Sequence, residues 1–267
     1  MPVGTLFIEG KLDQELLYSV LLGDPVLKIG GSKSNLKTRA KAECANHVAA
    51  GYLRDRDFDY DPPSDFSIPT LDNADPVGWR WCRHEIENYL IEPSLVSEAT
   101  NCAISDIEQA IFQAAKKIRS YEAARWTVGF VRRALPPAYK LETRPDNLSD
   151  IALPSRSYIE AVSKWAFEAI DAHRNKIAAA TETEHVKEIF EGFLSRFDDN
   201  FVEDITKVLL WFAGKDILAG MEEWLRKRDF NTPGLFRTSM RDWIKAHPER
   251  TIELLPEWAK LTELLRD

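Results

Sequence analysis

The sequence predicts an α/β protein with a mostly parallel sheet flanked by helices, followed by a largely helical second part. Three observations support this fold class. Short apolar runs alternate with segments of helical periodicity over residues 1–93, and Gly, Pro and Asp separate these segments. From Ser94 onward the apolar residues keep helical spacing. We therefore expect two parts, residues 1–93 and residues 94–267.

The elements of the first part follow one another as strand and helix. Apolar runs predict strands, and amphipathic segments that end at turn residues predict helices. Residues 60–76 are rich in Asp, Pro and Ser and are expected to form a loop. The predicted strands are Thr5–Ile8, Val26–Ile29, Ala50–Leu53 and one that opens at Trp79, and the predicted helices are Asp13–Leu22 and Asn35–Val48.

The second part is expected to be helical from Pro93 or Ser94 onward. Pro136 and Pro137 should end its longest helix, and residues 145–154 should form an irregular link. The region around residues 202–227 is expected to pack back onto the first part. The predicted helices are Ser105–Arg133, Ser157–Ala180, Glu184–Arg196, Val202–Leu210, Gly214–Lys227 and Arg237–Lys245.

Composition limits the function classes. The net charge of −8 over 267 residues argues against a protein that coats nucleic acid by bulk attraction, although an enzyme with a local site stays compatible. The three cysteines share no short metal-ligand spacing, so a disulfide framework is not expected and a reducing cytoplasm is the default. Neither a signal peptide nor an apolar run long enough to span a membrane is expected.

Acidic residues stand at the ends of two predicted strands. Glu9 follows the first strand and Asp13 lies four residues later, whereas Asp55 and Asp57 follow the third strand. If these strands are neighbours, the four carboxylates meet at the carboxyl edge of the sheet, where α/β proteins bind ligands. Their mutual repulsion favours a bound cation, and an oxygen-only set suits Mg²⁺ or Mn²⁺, as two ions in phosphodiester chemistry. The alternative is a solvated acidic loop, with Glu9 as a helix cap.

Four motifs resemble a known family. The sequence from Phe7 to Asp13 resembles the Glu-Gly-x-x-Asp signature that opens the TOPRIM domain, and Asp55-Arg56-Asp57 resembles its Asp-x-Asp signature. The segment from His84 to Leu90 is similar to the Glu-Ile-Glu-Asn-Tyr stretch of OLD-type TOPRIM nucleases and of the AriB effectors of the PARIS anti-phage system. The segment 212–216 resembles a Gly-Lys motif late in those proteins. The resemblance covers residues 5 to about 93, and beyond them only the Gly-Lys motif.

The resemblance implies roles at the two strand ends. Glu9 would act as general acid/base or as a metal ligand, and Asp13 would support the metal site. Asp55 and Asp57 would be the main metal ligands, and Asp59 would be an outer ligand. The cofactor would be Mg²⁺ or Mn²⁺, with two ions expected.

The resemblance also implies roles for residues further along the chain. Glu85 or Glu87 would complete the ligand set of a second metal ion. The same residues would also fit an exposed strand face, with Ile86 and Tyr89 in the core. Lys215 would neutralise charge on the scissile phosphate, or would simply begin a helix. A structural role is expected for His84. The implied catalytic set is Glu9, Asp55, Asp57 and Lys215.

The densest basic stretch follows the second strand. Lys33, Lys37 and Lys41 are candidates to hold a phosphate backbone near the metals, and a solvated basic helix explains them equally well. Gly30, Gly31 and Ser32 precede them and offer backbone N–H groups.

These observations lead to a main hypothesis and two alternatives. The main one is a TOPRIM-type, divalent-metal-dependent endonuclease that cleaves DNA or RNA, with transfer RNA among the candidates, as the toxic effector of an anti-phage system. The chain lacks the Gly-x-x-x-x-Gly-Lys-Ser/Thr loop of an ATPase, which OLD proteins carry, so a separate ABC-type ATPase partner is expected. A homodimer is also expected. The alternatives are a non-catalytic TOPRIM shell serving as a binding or regulatory subunit, and a TOPRIM chemistry of primer synthesis or strand passage.

Overall fold

A computed structural model describes residues 2–135 and 159–266 of the chain. The predicted strands form where expected, the two helices predicted in the first part each begin two residues earlier than predicted, and the short helix over Glu87–Leu90 was not predicted. The strands are β1 (Thr5–Ile8), β2 (Val26–Ile29), β3 (Ala50–Arg54), β4 (Thr70–Leu71) and β5 (Gly78–Arg80). The first helices are α1 (Lys11–Val20), α2 (Lys33–Ala45), α3 (Glu87–Leu90) and α4 (Pro93–Thr100).

The remaining described helices follow α4. They are α5 (Ile104–Ala134), α6 (Ile159–Ala180), α7 (Thr183–Arg196), α8 (Asp199–Val202), α9 (Ile205–Trp211), α10 (Gly214–Gly220), α11 (Glu222–Arg226), α12 (Pro233–Ala246), α13 (Pro248–Leu254) and α14 (Pro256–Arg266). Within the described ranges, none of them combines the length and the apolar character needed to cross a bilayer.

The sheet has the strand order β2-β1-β3-β5-β4, and all neighbours pair in parallel except β4 and β5. The first and third strands are therefore adjacent, with Thr5 opposite Ala50 and Phe7 opposite Tyr52. Their carboxyl ends lie at the same edge of the sheet because the strands run in the same direction. This adjacency is what the predicted carboxylate cluster requires.

The core explains why β1 is central. All four of its residues are buried, as expected for a strand covered on both faces. Phe7 and Tyr52 pack against Leu36 and Ala40 of α2, so α2 covers one face of the sheet. The neighbouring side chain Leu6, also buried, points to the opposite face because side chains alternate along a strand.

Several predicted elements differ in detail. The expected loop over residues 60–76 contains the short strand β4, which forms by pairing with β5. The helix predicted over residues 202–210 is two helices, because Asp204 caps α9 with its side chain, and the helix predicted over 214–227 breaks at Met221. The helices α13 and α14 were not predicted. Pro136, Pro137 and the predicted link over residues 145–154 lie outside the described residues.

The chain divides into two compact units. One comprises Met1–Glu122 with Phe197–Asp267, and the other is Ala123–Arg196. The sheet and helices α9 to α14 belong to the first unit, so the late helices fold together with the strands. The described residues of the second unit form the end of α5 together with α6 and α7.

Candidate active site

The first contact of the site joins the ends of β1 and β3. Glu9 follows Ile8, the last residue of β1, and Asp55 follows Arg54, the last residue of β3. The backbone N–H of Asp55 donates to Glu9 Oε1 at 3.0 Å. Gly10, not Glu9, is the N-cap of α1, so the helix-cap interpretation of Glu9 is wrong.

Asp13 and Asp55 are carboxylates that resist ionisation. Asp13 lies in the first turn of α1 and is buried. Burial, with Glu9 and Glu87 nearby, raises the pKa of Asp13 to about 7. Burial raises the pKa of Asp55 well above its ordinary value, and Asp13, Glu9 and Asp57 add to this effect. Asp55 Oδ1 is buried and accepts no hydrogen bond from the described part of the chain.

Asp57 and Asp59 share one cation. Asp57 has a left-handed backbone conformation with φ of 48°, and its N–H donates to the carbonyl of His84 at 2.8 Å. Lys33 Nζ forms an ion pair with Asp57 and lies 2.6 Å from Asp59 Oδ2. Arg54 also pairs with Asp59. Lys33, predicted to bind substrate, is therefore placed on the same carboxylates that were predicted to bind metal.

Glu85 and Glu87 lie in the turn after β5 and in α3, and both are buried. The alternative of an exposed strand face is therefore wrong, although Ile86 and Tyr89 do belong to the core. The strand ends at Arg80, before the pattern of alternation reaches these glutamates. Burial raises the pKa of Glu85, and Lys215 opposes this effect.

Lys215 contacts both glutamates. Its backbone N–H donates to Glu85 Oε1 at 2.7 Å, and its Nζ lies 2.9 Å from Glu85 Oε2 and 3.5 Å from Glu87 Oε2. Burial disfavours the ammonium, but Glu85 and Glu87 more than offset it and raise the pKa of Lys215. The Lys215 side chain remains 56% exposed, so a permanent cation borders the cluster and faces solvent. Arg237 Nη1 contacts Glu87 Oε1 at 3.1 Å from the other side.

Asn88 fixes the position of Lys215. Its Oδ1 accepts the N–H groups of Glu85 and Gly214 at 3.1 and 3.0 Å, and its Nδ2 donates to the carbonyls of Leu209 and Phe212 at 3.0 and 2.8 Å. All four bonds are buried, so this one amide joins the glutamate turn to the start of α10.

Arg56 holds the Asp-x-Asp loop from inside. It separates the two aspartates of that motif in the sequence, and its side chain is fully buried. It donates to the carbonyls of Cys82 and Tyr60 at 2.9 and 2.6 Å, and also to the carbonyl of Leu210 at the end of α9. Burial lowers the pKa of Arg56 to about 10, which leaves it charged at neutral pH. Its role is to set the backbone of the loop.

One trio of possible metal ligands lies close together in the described ranges. One ligand atom each of Asp57, His84 and Glu85 lie within 4.8 Å of one another. His84 is fully buried and packs edge-on against Phe58 at 4.2 Å between ring centroids. Asp57 belongs both to this trio and to the predicted set, whose other members are Glu9, Asp13 and Asp55. The negative charges of Glu9, Asp13 and Asp57 raise the pKa of Asp55.

The other two lysines predicted to bind substrate form ion pairs with a different carboxylate. Lys37 and Lys41 contact Asp75 Oδ2 at 2.9 and 3.4 Å. Against the effect of burial, these hydrogen bonds lower the pKa of Asp75. Their charges are thus partly compensated within the chain.

Sequence reasoning missed three residues of this region. Asn88 stands inside the quoted motif without an assigned role, and Arg56 is the middle residue of the Asp-x-Asp motif. Both positions carry a local signal. Arg237 carries none, because its partner Glu87 is 150 residues away.

Comparison with known proteins gives no assignment: no protein-family model matches the sequence, and no curated protein matches it either.

Proposed function

We propose that this chain is a divalent-metal-dependent endonuclease of the TOPRIM type that cleaves phosphodiester bonds in DNA or RNA. The observation that carries the proposal is the Asp55 carboxylate. It stands at the edge of a parallel sheet, its Oδ1 is buried without a hydrogen-bond donor in the described structure, and Glu9, Asp13 and Asp57 all oppose its ionisation. Such a group is costly to bury unless a cation compensates it.

The donor set fits Mg²⁺ or Mn²⁺. The residues that would hold one or two ions are carboxylates on three segments, with His84 beside them, and hard divalent cations prefer carboxylate oxygen. Asp55 and Asp57 would be the central ligands, and Glu9, Asp13 and Glu85 would border them. Asp59 is engaged by Lys33 and Arg54, which makes it an outer member at most.

The metal would supply Lewis-acid stabilisation of the phosphate and of the attacking and leaving oxygens. The chain's own residues account for the rest. Burial raises the pKa of Glu9 above its ordinary value, and this direction favours a role as general base or acid. Lys215 remains protonated because of Glu85 and Glu87, so it would stabilise negative charge on the phosphate and would not donate a proton. The ion pair with Glu85 orients its ammonium toward the cluster.

The biological setting is part of the proposal. The four motifs support a toxic effector of an anti-phage system that acts in the cytoplasm. The resemblance to stand-alone effectors supports a separate ABC-type ATPase partner. We also propose that the chain forms a homodimer.

Incubating the purified protein with Mn²⁺ or Mg²⁺ and end-labelled DNA, total RNA or transfer RNA tests the activity. We expect cleavage that EDTA abolishes and that Asp55→Asn lowers by at least about a hundredfold. The matched control is Asp65→Asn, since Asp65 is exposed and its bonds to Ser67 use an oxygen that Asn retains. Absence of cleavage of every substrate with either metal, or equal loss in both variants, contradicts the proposal.

A non-catalytic role is the second candidate, and one observation favours it. Lys33 and Lys215 already pair with Asp57, Asp59, Glu85 and Glu87, so the described chain supplies its own cations. Titration with Mn²⁺ separates the two functions. A shell without a metal site would bind no more Mn²⁺ than the double variant Asp55→Asn/Asp57→Asn, whereas the nuclease would lose its binding in that variant.

A further inference from the structure

A groove between α1 and α12 opens beside the candidate active site. Its volume is about 270 Å³, and Arg237 in its wall contacts Glu87 at 3.1 Å. Arg237 therefore links the wall of the groove to the carboxylate cluster. Its lining residues are Lys11, Leu12, Glu15, Gly234, Arg237, Thr238 and Arg241.

The charge of this groove is opposite to that of the whole chain. Lys11, Arg237 and Arg241 stand against the single acid Glu15, whereas the chain has a net charge of −8. Lys11 lies 3.7 Å and Arg241 2.9 Å from Glu15, and Arg241 also pairs with Asp242 at 2.9 Å. Hydrogen bonding to Arg241 lowers the pKa of Glu15, and Lys245 acts in the same direction.

The cations of α12 form a stripe. Arg237, Arg241 and Lys245 are four residues apart, so they share one face of the helix. At about 1.5 Å per residue the stripe is about 12 Å long, which matches several nucleotides of a strand at about 3.4 Å per nucleotide. Its first member is the arginine that borders Glu87, and the stripe leads away from the cluster.

Lys11 is the cation of the groove most open to a ligand. The side chain of Lys11 is 82% exposed, and those of Arg237 and Arg241 remain partly exposed along the groove wall. Lys37 and Lys41 on α2 instead converge on the buried Asp75. The groove is the basic surface that borders Glu87, whereas Lys37 and Lys41 face Asp75.

We propose that the groove between α1 and α12 binds the sugar–phosphate backbone of the nucleic acid on one side of the scissile bond, with Lys11 and Arg241 contacting phosphates. This inference rests on the proposed nuclease function and adds the path of the substrate. Of the residues that line the groove in the described structure, none is aromatic, so stacking does not contribute. Phosphate contacts position a strand without selecting its sequence, so binding here is sequence-independent.

Binding measured without catalysis tests the path. Fluorescence anisotropy of short labelled single-stranded DNA and RNA in EDTA, with the full chain, excludes cleavage. Each lost phosphate contact should weaken binding about fivefold at about 0.1 M salt, since the salt slope for single strands is about 0.7 per contact. We therefore expect Lys11→Gln and Arg241→Gln each to weaken binding by about that factor and to lower the slope.

The matched control is Lys260→Gln, which also removes an exposed lysine with a carboxylate partner, Glu263, at 2.6 Å. Lys11→Gln keeps the test valid even if Arg241→Gln unfolds, because Lys11 is almost fully exposed. Unchanged binding in Lys11→Gln, equal weakening in the control, or no binding by the natural sequence overturns the inference.

The two proposals fail in different ways. If the groove variants bind as the natural protein does while Mn²⁺-dependent cleavage persists, the path is wrong and the nuclease stands. If the groove variants lose binding but the natural protein cleaves nothing with any metal, the groove binds nucleic acid and the nuclease proposal fails.

Discussion

A Cβ atom at Gly214 would lie 2.5 Å from the backbone nitrogen of Asn88. The start of α10 therefore approaches the turn around Glu87 more closely than any residue with a side chain permits. This approach brings the N–H of Gly214 to Asn88 Oδ1 and the N–H of Lys215 to Glu85 Oε1. The Gly-Lys pair thus has a physical explanation: the glycine allows the contact, and the lysine uses it.

Replacing Gly214 with Ala should displace α10 from this turn. We expect a loss of about 1–3 kcal/mol in the free energy of unfolding, because the added methyl group meets backbone that cannot rotate away. Urea denaturation measures the change. The control is Gly192→Ala in α7, where a Cβ would meet nothing within 4 Å and should stabilise the helix by about 0.5–1 kcal/mol. Equal stability of Gly214→Ala and the natural protein would refute the close approach.

Asn88→Ala should cost more than the glycine change. The substitution leaves two buried N–H groups and two buried carbonyls without the partner they have now, and each such group costs about 1–3 kcal/mol. We expect a loss above about 3 kcal/mol in urea denaturation. Asn200→Ala, at an exposed position of α8, is the control and should change stability by less than about 0.5 kcal/mol. A loss at Asn88 as small as that at Asn200 would contradict its role.

The sequence predicts the strands that carry the site better than it predicts which side chains contact the site residues. The apolar run of β1 predicts its bounds because burial on both faces leaves a continuous signal. The strand β4 gives no such signal, since two residues within a polar loop become a strand only through pairing with β5. The expected cluster at Glu9 and Asp55 required only that β1 and β3 be neighbours.

The cations around the glutamates were harder to predict. Lys215 was reached through resemblance, and its contact with Glu85 spans 130 residues. Arg237 was placed only within a predicted helix. Periodicity along the chain describes which face of a helix is buried, but it carries no information about which distant carboxylate that face meets.

Asp55→Asn should stabilise the protein in EDTA while removing its response to metal. Asn lacks the charge that burial and Asp13 disfavour, so we expect a gain of about 1 kcal/mol in the free energy of unfolding at pH 8 without metal. The natural protein should gain about 2.7 kcal/mol from Mn²⁺ at a hundred times its Kd, and the variant almost none. Thermal unfolding with and without Mn²⁺ measures both effects. Equal Mn²⁺ responses in the two proteins would exclude Asp55 as a ligand.

Glu257 should make stability depend on pH. Its carboxylate is buried, accepts the N–H of Cys82 at 2.7 Å and pairs with the hydroxyl of Tyr89, and burial raises the pKa of Glu257 to about 7. Because the folded pKa exceeds the ordinary value, the folded state holds the extra proton between about pH 4.5 and 7. The stabilisation is fully present below that window and is lost as the pH rises through it, by roughly 3 kcal/mol.

Urea denaturation at pH 5 and at pH 8 checks this dependence. Glu257→Gln retains an acceptor for Cys82 and a polar group for Tyr89 but cannot ionise. We expect the natural protein to lose more stability than the variant between the two pH values. Parallel losses would show that Glu257 does not titrate in this range.

The spacing of the site along the chain has a consequence during translation. All carboxylates of the cluster are translated before Lys215 and Arg237. These two cations lie 130 and 150 residues after their glutamate partners. A nascent chain therefore presents Glu85 and Glu87 before the cations that later contact them have been added. If the protein is toxic, its host meets a complete site only after the last helices have emerged.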